Sequence, residues 1–86
     1  IVCTNTRWNA VNSTARLVYP NGHLAKYAVH PLSDLSPAPA YEQYSIASGG
    51  FGERVSERRE LEGTLRRALH AVEHEGRQAL VNVICA

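Results

Sequence analysis

The chain has 86 residues, of which 44% are apolar, and its formal net charge is +1. This length allows one small domain at most, and such a domain buries only roughly two-thirds of the surface that its unfolded chain exposes. The arginines are interleaved with glutamates, so the charge pattern argues against partners such as nucleic acid or an anionic membrane surface.

The N-terminal third begins with an apolar run and ends in a proline-rich stretch. Ile1–Thr4 is β-branched and apolar without alternation, which predicts a parallel strand at the centre of a sheet, covered on both faces. Residues 8–15 predict a short helix, although several of its polar side chains compete for backbone hydrogen bonds. Residues 16–39 predict a long loop, and loops of this length are usually functional or mobile.

Two helices and two strands are predicted in the rest of the chain. Residues 40–48 predict a short helix closed by Gly49 or Gly50, followed by a short strand or an extended link at residues 53–55. The clearest helix is predicted over residues 57–75, and its apolar residues recur at helical spacing: Leu61, Leu65, Ala68, Leu69 and Val72.

The ends of the long helix carry recognisable signals. Ser56 is the predicted N-cap, and Gly76 stands where a left-handed C-terminal stop belongs. Ala79–Ile84 is rich in β-branched residues and predicts a buried strand.

This alternation of strands and helices predicts an α/β fold with a partial, open, mostly parallel sheet and flanking helices. We expect one partial domain over residues 1–86. It divides into a strand and helix (1–15), the proline-rich loop (16–39) and a scaffold of helices and strands (40–86). Such sheets bind ligands at the carboxyl ends of their strands, where Thr4 and Asn5 are expected.

Two parts of the sequence resemble a known enzyme family. The opening run, IVCTNTRWNAV from Ile1 to Val11, resembles the second half of the thiamine diphosphate binding motif. The stretch from Gly49 to Ile84 is similar to the closing segment of the same enzymes, the acetolactate synthase, benzoylformate decarboxylase and benzaldehyde lyase group. The resemblance implies the C-terminal part of a diphosphate-binding domain, with thiamine diphosphate and Mg²⁺ as cofactors. It also implies lyase or transferase chemistry on a 2-oxo acid or an aldehyde.

The resemblance also implies roles for individual residues. The side-chain oxygen of Asn5 and the carbonyl of Arg7 would hold magnesium, which prefers oxygen ligands. Backbone near Trp8 and Asn9 would contact the diphosphate, as helix N-termini do with anions. Val11 would border the substrate pocket. The alternatives are that Asn5 only ends a strand, that Trp8 anchors the helix in the core and that Val11 packs on the sheet.

The chain departs from the family pattern at two positions. Thr4 stands where many members have a second asparagine, and Asn9 stands where glycine is frequent. The Gly-Asp-Gly half of the motif and the glutamate that activates the cofactor are not among these residues. We therefore expect the isolated chain to be catalytically inactive, and no catalytic residue is assigned to it.

Other motifs give weaker signals. His70 and His74 match the H-x-x-E-H pattern of zinc peptidases, but such a site needs a third protein ligand, so a solvated helix flank is the expected alternative. The Gly49–Gly52 stretch lacks the lysine and hydroxyl of a phosphate loop and predicts a turn. His23 and His30 are expected at the surface.

The sequence also bears on the state of the two cysteines, the cellular compartment and the oligomeric state. Cys3 and Cys85 are expected to be free, buried thiols, since a disulfide between them requires that their strands be neighbours. No targeting signal and no apolar stretch of roughly 20 residues is present, which predicts a cytoplasmic protein. A partial sheet exposes an edge that invites pairing, so we expect a homo-oligomer. The alternative to an enzyme part is a non-enzymatic, self-associating fragment.

Overall fold

The computed structural model describes residues 1–28 and 32–85. In chain order the elements are β1 (Val2–Thr4), α1 (Asn9–Val18), a short 3-10 helix (His23–Lys26), α2 (Glu42–Ala47), β2 (Phe51–Val55), α3 (Arg58–Glu75) and β3 (Ala79–Ile84). These elements form two units. Unit 1 contains Ile1–Asn5 and Pro39–Ala86, and unit 2 contains Thr6–Ala38.

The sheet of unit 1 confirms the predicted α/β class but not the predicted place of the first strand. Its three parallel strands are ordered β1-β3-β2, so β1 lies at an edge and β3 at the centre. β3 has six residues and pairs with a strand on each side, whereas β1 has three residues and pairs on one side only. The longer apolar run therefore takes the central position, and the prediction of a central first strand was wrong.

Each face of the sheet carries one helix. α3 packs on the face that holds Val55 and Val81, where Ala68 completes the buried cluster. α2 packs on the opposite face, and Gly52 of β2 permits that contact. A Cβ atom at Gly52 would lie 2.2 Å from the carbonyl oxygen of Glu42, so any larger residue would push the helix away.

The strongest sequence signals match the observed elements closely. β3 has the predicted bounds, and α3 begins one residue later than predicted, with Glu57 rather than Ser56 at the N-cap. Glu57 makes no side-chain capping hydrogen bond. Gly76 has φ 63° and ends the helix in the left-handed conformation, as predicted.

Unit 2 is held mainly by backbone hydrogen bonds and polar contacts. α1 runs to Val18, three residues beyond the predicted helix, and the 3-10 helix lies within the predicted loop. An isolated antiparallel bridge joins Arg7 to Asp34. Among the described residues of this unit Ser33 is buried, but no apolar side chain is. Unit 2 therefore has no hydrophobic core of its own in the part that the structure describes.

The two cysteines are free thiols, as predicted, although β1 and β3 are neighbours. Cys3 is exposed, so its predicted burial was wrong, because its edge strand lacks a covering neighbour. Burial and the neighbouring Cys3 thiol raise the pKa of Cys85 above its ordinary value.

Across residues 1–28 and 32–85, none of the helices combines the length and the apolar character that crossing a bilayer requires.

Candidate functional site

Asn5 stands at the carboxyl end of β1, the position at which parallel α/β sheets bind ligands. The residue before it ends the paired part of the strand, because the Thr4 carbonyl accepts a hydrogen bond from the Cys85 N–H at 2.8 Å. Asn5 itself is exposed. Asn5 therefore has the predicted position at the end of the strand.

A buried polar chain fixes the end of β1 in unit 1. The Thr4 hydroxyl donates to the Asn82 side-chain oxygen at 2.7 Å, and the Asn82 amide nitrogen donates to a Glu42 carboxylate oxygen at 2.7 Å. All three residues are buried, and Asn82 is fully so. The network ties β1, β3 and α2 together one residue before Asn5.

The carboxylate in this network is ionised more readily than usual. Burial by itself raises the pKa of Glu42, but the hydrogen bond from Asn82, a backbone hydrogen bond and the nearby Arg54 charge outweigh it. The net pKa lies below the ordinary value of 4.5. Charge-assisted hydrogen bonds of this kind are stronger than neutral ones, so the network favours a charged Glu42.

No pattern in the sequence predicted this network. The only signal was Asn82 itself, an amide in the middle of a β-branched, apolar strand. A polar side chain in such a strand must find partners because unpaired buried polar groups are costly. The identity of the partners follows only from the strand order, which places Thr4 beside Asn82, and from the packing of α2 over the sheet.

Two backbone hydrogen bonds hold the chain on either side of Arg7 within unit 2. Thr6 has φ 55°, a left-handed conformation uncommon outside glycine, and its carbonyl accepts from the Leu35 N–H at 2.8 Å. The Trp8 N–H donates to the Ser33 carbonyl at 2.8 Å. These two bonds flank Arg7, so its own carbonyl is the acceptor in neither of them.

The start of α1 lacks the usual capping features at its N-cap and in its first turn. Its N-cap is Trp8, which makes no side-chain capping bond, and its first turn contains no acidic residue. An uncapped helix start favours a negative ligand through its N–H groups and its dipole. Because the Trp8 N–H donates to Ser33 and the Asn12 N–H donates to the Trp8 carbonyl, the backbone donors at the helix start are those of residues 9–11.

The two apolar candidates on this segment are exposed. Trp8 is 58% exposed and Val11 is 49% exposed. The alternative that Trp8 anchors its helix in a core is therefore wrong for unit 2. Val11 has surface free for a contact with another group.

A small polar cavity of about 190 Å³, which no sequence pattern predicted, lies within unit 2. Its lining includes Arg7, Asn12 and Asp34. The Ser36 hydroxyl and then the Ser36 backbone N–H both donate to the Asp34 carboxylate, and these bonds, with a smaller contribution from Arg7, hold its pKa below its ordinary value. An aspartate side chain often accepts a hydrogen bond from the backbone N–H two residues later in a turn. This pattern at Asp34 was the only sequence signal for the turn beside the cavity.

The predicted turn over Gly49–Gly52 is only half right, since Gly49 and Gly50 turn the chain after α2 and the other two residues do not. Gly49 has φ 78° and follows the helix, while Phe51 and Gly52 already belong to β2. The guanidinium of Arg77 donates to the carbonyls of Gly49 and Gly50 at 3.1 and 2.9 Å. Because Arg77, which follows α3, holds the two carbonyls of the turn, we assign the glycine turn a structural role.

The histidine pair lies on the exposed flank of α3. The ring centroids of His70 and His74 are 4.8 Å apart, and His70 Nδ1 is 3.3 Å from a Glu75 oxygen. Within the described ranges no group of three or more His, Cys, Asp or Glu residues is placed to hold a metal ion. The third ligand that a zinc site requires is therefore not found there.

Of the two remaining histidines, His23 is among the described residues. His23 packs edge-on against Tyr27, with ring centroids 5.6 Å apart, and it is exposed as expected. His30 lies outside the described residues.

Comparison of the chain with protein-family models, with curated proteins and with solved structures found no match in any of the three.

Proposed function

We propose that the chain is the C-terminal part of the diphosphate-binding domain of a thiamine diphosphate and Mg²⁺ dependent enzyme, similar to acetolactate synthase. Its substrate class would be 2-oxo acids or aldehydes. One observation carries the proposal: Asn5, the residue that the motif assigns to magnesium, directly follows a parallel strand of an open α/β sheet. That position supports a role in ligand binding.

The donor set fits the metal. Magnesium is a hard ion that prefers oxygen ligands and usually shares phosphate oxygens with the protein. The Asn5 amide supplies an oxygen without placing a negative charge beside a diphosphate. The Arg7 carbonyl is the second proposed ligand.

The proposal gives the remaining candidates binding roles. Asn9 and the first turn of α1 would donate backbone N–H groups to the diphosphate, supported by the uncapped and acid-free start of that helix. The exposed Val11 would border the substrate. Trp8 would contribute by contact, since its N–H is held by Ser33.

The buried network supports the Asn5 role indirectly. Thr4, Asn82 and Glu42 fix the last residue of β1, so the following residue leaves the sheet from a defined point. When bound, the cofactor supplies an electron sink for breaking or forming a carbon–carbon bond beside a carbonyl. The residues of this chain bind and orient it.

A cytoplasmic location belongs to the same proposal. The free thiols of Cys3 and Cys85 on neighbouring strands suit a reducing compartment, because disulfides form readily in oxidising ones.

The test is a titration of thiamine diphosphate into the ¹⁵N-labelled chain, with and without Mg²⁺, followed by amide shifts in two-dimensional NMR. We expect magnesium-dependent shifts of the Asn5 side-chain amide and of backbone amides from Arg7 to Val11. Weak binding is sufficient, because shifts report contacts of millimolar affinity.

Two variants make the titration specific. Asn5→Ala removes the proposed ligand and should abolish the magnesium-dependent shifts. Asn21→Ala removes another exposed asparagine, outside the motif, and should leave them unchanged. Absence of shifts in the folded chain at millimolar ligand, or equal shifts in Asn5→Ala, would overturn the proposal.

A further inference from the structure

His70 and His74 lie one helical turn apart on the exposed flank of α3. Side chains four residues apart on a helix are neighbours, so both rings project from the same side of the helix. Their ring centroids are 4.8 Å apart, and their ring planes are tilted by 48°. The proposed function gives neither histidine a role.

The separation of the two rings is close to that of two imidazoles bound to one metal ion. A bond between a metal and an imidazole nitrogen is about 2.0–2.1 Å long. Two such rings on neighbouring coordination positions, at angles of about 90–110° at the ion, have their centroids roughly 4.5–5 Å apart. Rotation of the two side chains therefore suffices to bring one nitrogen of each ring to a shared ion, and the helix need not move.

A carboxylate lies beside the other nitrogen of His70. His70 Nδ1 is 3.3 Å from one oxygen of Glu75, and Arg77 donates to the other oxygen at 2.7 Å. Metal-bound histidines usually donate their second ring N–H to such a carboxylate, which fixes both the tautomer and the orientation of the ring. With its proton on Nδ1, His70 has the Nε2 lone pair available for a metal.

The backbone beneath the pair is held in place and favours a cation. Ala71 is buried, and its carbonyl accepts a hydrogen bond from the Arg77 N–H at 3.0 Å. The pair lies near the C-terminal end of α3, where the helix dipole is negative. The two arginines one turn before His70 are each paired with a glutamate, so their repulsion of a metal cation is reduced.

We propose that His70 and His74 bind a divalent transition metal that accepts mixed nitrogen and oxygen ligands, such as Ni²⁺ or Cu²⁺. One nitrogen of each ring occupies neighbouring coordination positions, and water fills the others. Glu75 is a positioning residue that orients His70. The site differs from a zinc peptidase centre, since no third His, Cys, Asp or Glu joins the pair as a metal ligand within residues 1–28 and 32–85.

Titration of Ni²⁺ into the ¹⁵N-labelled chain tests the site without thiamine diphosphate, so its outcome is independent of the proposed function. Octahedral Ni²⁺ is paramagnetic and broadens the signals of nearby nuclei. We expect saturable broadening of amide signals that is strongest over residues 67–77. Broadening centred on the thiols of Cys3 and Cys85, or no broadening of the α3 signals, would overturn the proposal.

Single substitutions measure the contribution of each ring. His70→Ala and His74→Ala should each weaken Ni²⁺ binding by at least about tenfold in calorimetry, because the remaining imidazole loses the advantage of chelation. His23→Ala removes an exposed histidine that packs against Tyr27, and it should leave the affinity unchanged. Unchanged affinity in either α3 variant would show that the two rings do not share an ion.

The helical spacing is tested by moving the second histidine. In a His74→Ala background, Glu73→His places the second imidazole three residues from His70 on the same side of the helix, and most of the affinity should return. Val72→His in the same background places it two residues away on a different side, and little affinity should return. Equal recovery in the two double variants would contradict chelation by α3.

Glu75→Gln tests the positioning role. We expect Ni²⁺ binding to weaken by several-fold, and neutral His70 in the metal-free chain to shift toward the tautomer that carries its proton on Nε2. Imidazole ¹⁵N shifts report this change, and those of His74 should stay the same. Unchanged affinity and tautomer would overturn the role of Glu75; circular dichroism confirms that each variant is folded.

Discussion

Units 1 and 2 are stabilised by different interactions. Unit 1 buries apolar side chains between a parallel sheet and α3, with Val55, Ala68 and Val81 at the centre. The described part of unit 2 buries no apolar side chain and depends on α1, a 3-10 helix and the bridge between Arg7 and Asp34. Most of the residues proposed to contact cofactor lie in unit 2, in keeping with the tendency of ligand-binding segments to come from less stable parts of a protein.

We expect the largest effect from a charged substitution in the core of unit 1, which should unfold that unit. Val81→Asp would bury an unpaired carboxylate among apolar side chains, at a cost of several kcal/mol, and a domain of this size has little stability to lose. We expect the thermal unfolding transition seen by circular dichroism to disappear. Leu17→Asp in unit 2 should change the free energy of unfolding by about 0.5 kcal/mol or less. A comparable loss from Leu17→Asp would show that the contrast between the units is wrong.

A smaller effect is expected from added bulk at a close approach. In unit 1, Gly52→Ala places a Cβ atom 2.2 Å from the Glu42 carbonyl oxygen, so α2 must move, which costs about 1–3 kcal/mol. In unit 2, Gly22→Ala meets Tyr19 at 2.9 Å, but no buried apolar contact there depends on that turn. Urea denaturation should show a clear loss for Gly52→Ala and little change for Gly22→Ala. Equal midpoints for these two variants would contradict the comparison.

The smallest effect is a change in pH dependence. Because the pKa of Glu42 is lowered on folding, its contribution to stability is present above the ordinary value of 4.5 and is lost as the pH falls through the lowered pKa. Glu42→Gln should therefore flatten the fall in unfolding free energy below pH 4.5. Part of the fall should remain, since the pKa values of Glu53 and Glu75 are lowered as well.

Asp34 provides the matched variant from unit 2. Its pKa is also lowered, by Ser36, but its carboxylate is exposed. Asp34→Asn should leave the acid dependence of the unit 1 transition unchanged. If Glu42→Gln and Asp34→Asn changed that dependence equally, the buried network would have no special role.

The sequence predicted those parts of the fold that depend on local patterns. The α/β class, the bounds of β3, nearly all of α3 and the stop at Gly76 follow from periodicity and glycine conformation. The order of the strands could not be read locally, because an apolar run looks the same at an edge as at the centre. The position of β1 was therefore predicted wrongly, and with it the burial of Cys3.

The candidate site was predictable only in part. The placement of Asn5 at a strand end follows from the strand prediction, whereas its support by Thr4, Asn82 and Glu42 joins residues up to 78 positions apart. Such contacts depend on tertiary packing, which no local pattern encodes. The role of Asn5 in holding magnesium remains a prediction that the titration tests.

Asn82 also determines which alignments of the sheet are tolerated. If β3 slipped by one residue, every side chain would change faces, and this amide would turn toward the apolar cluster under α3. The Thr4 hydroxyl and the Glu42 carboxylate would then be buried without their partner, at about 1–3 kcal/mol for each group. The asparagine thus disfavours misaligned registers of a strand whose other residues would be tolerated on either face of the sheet.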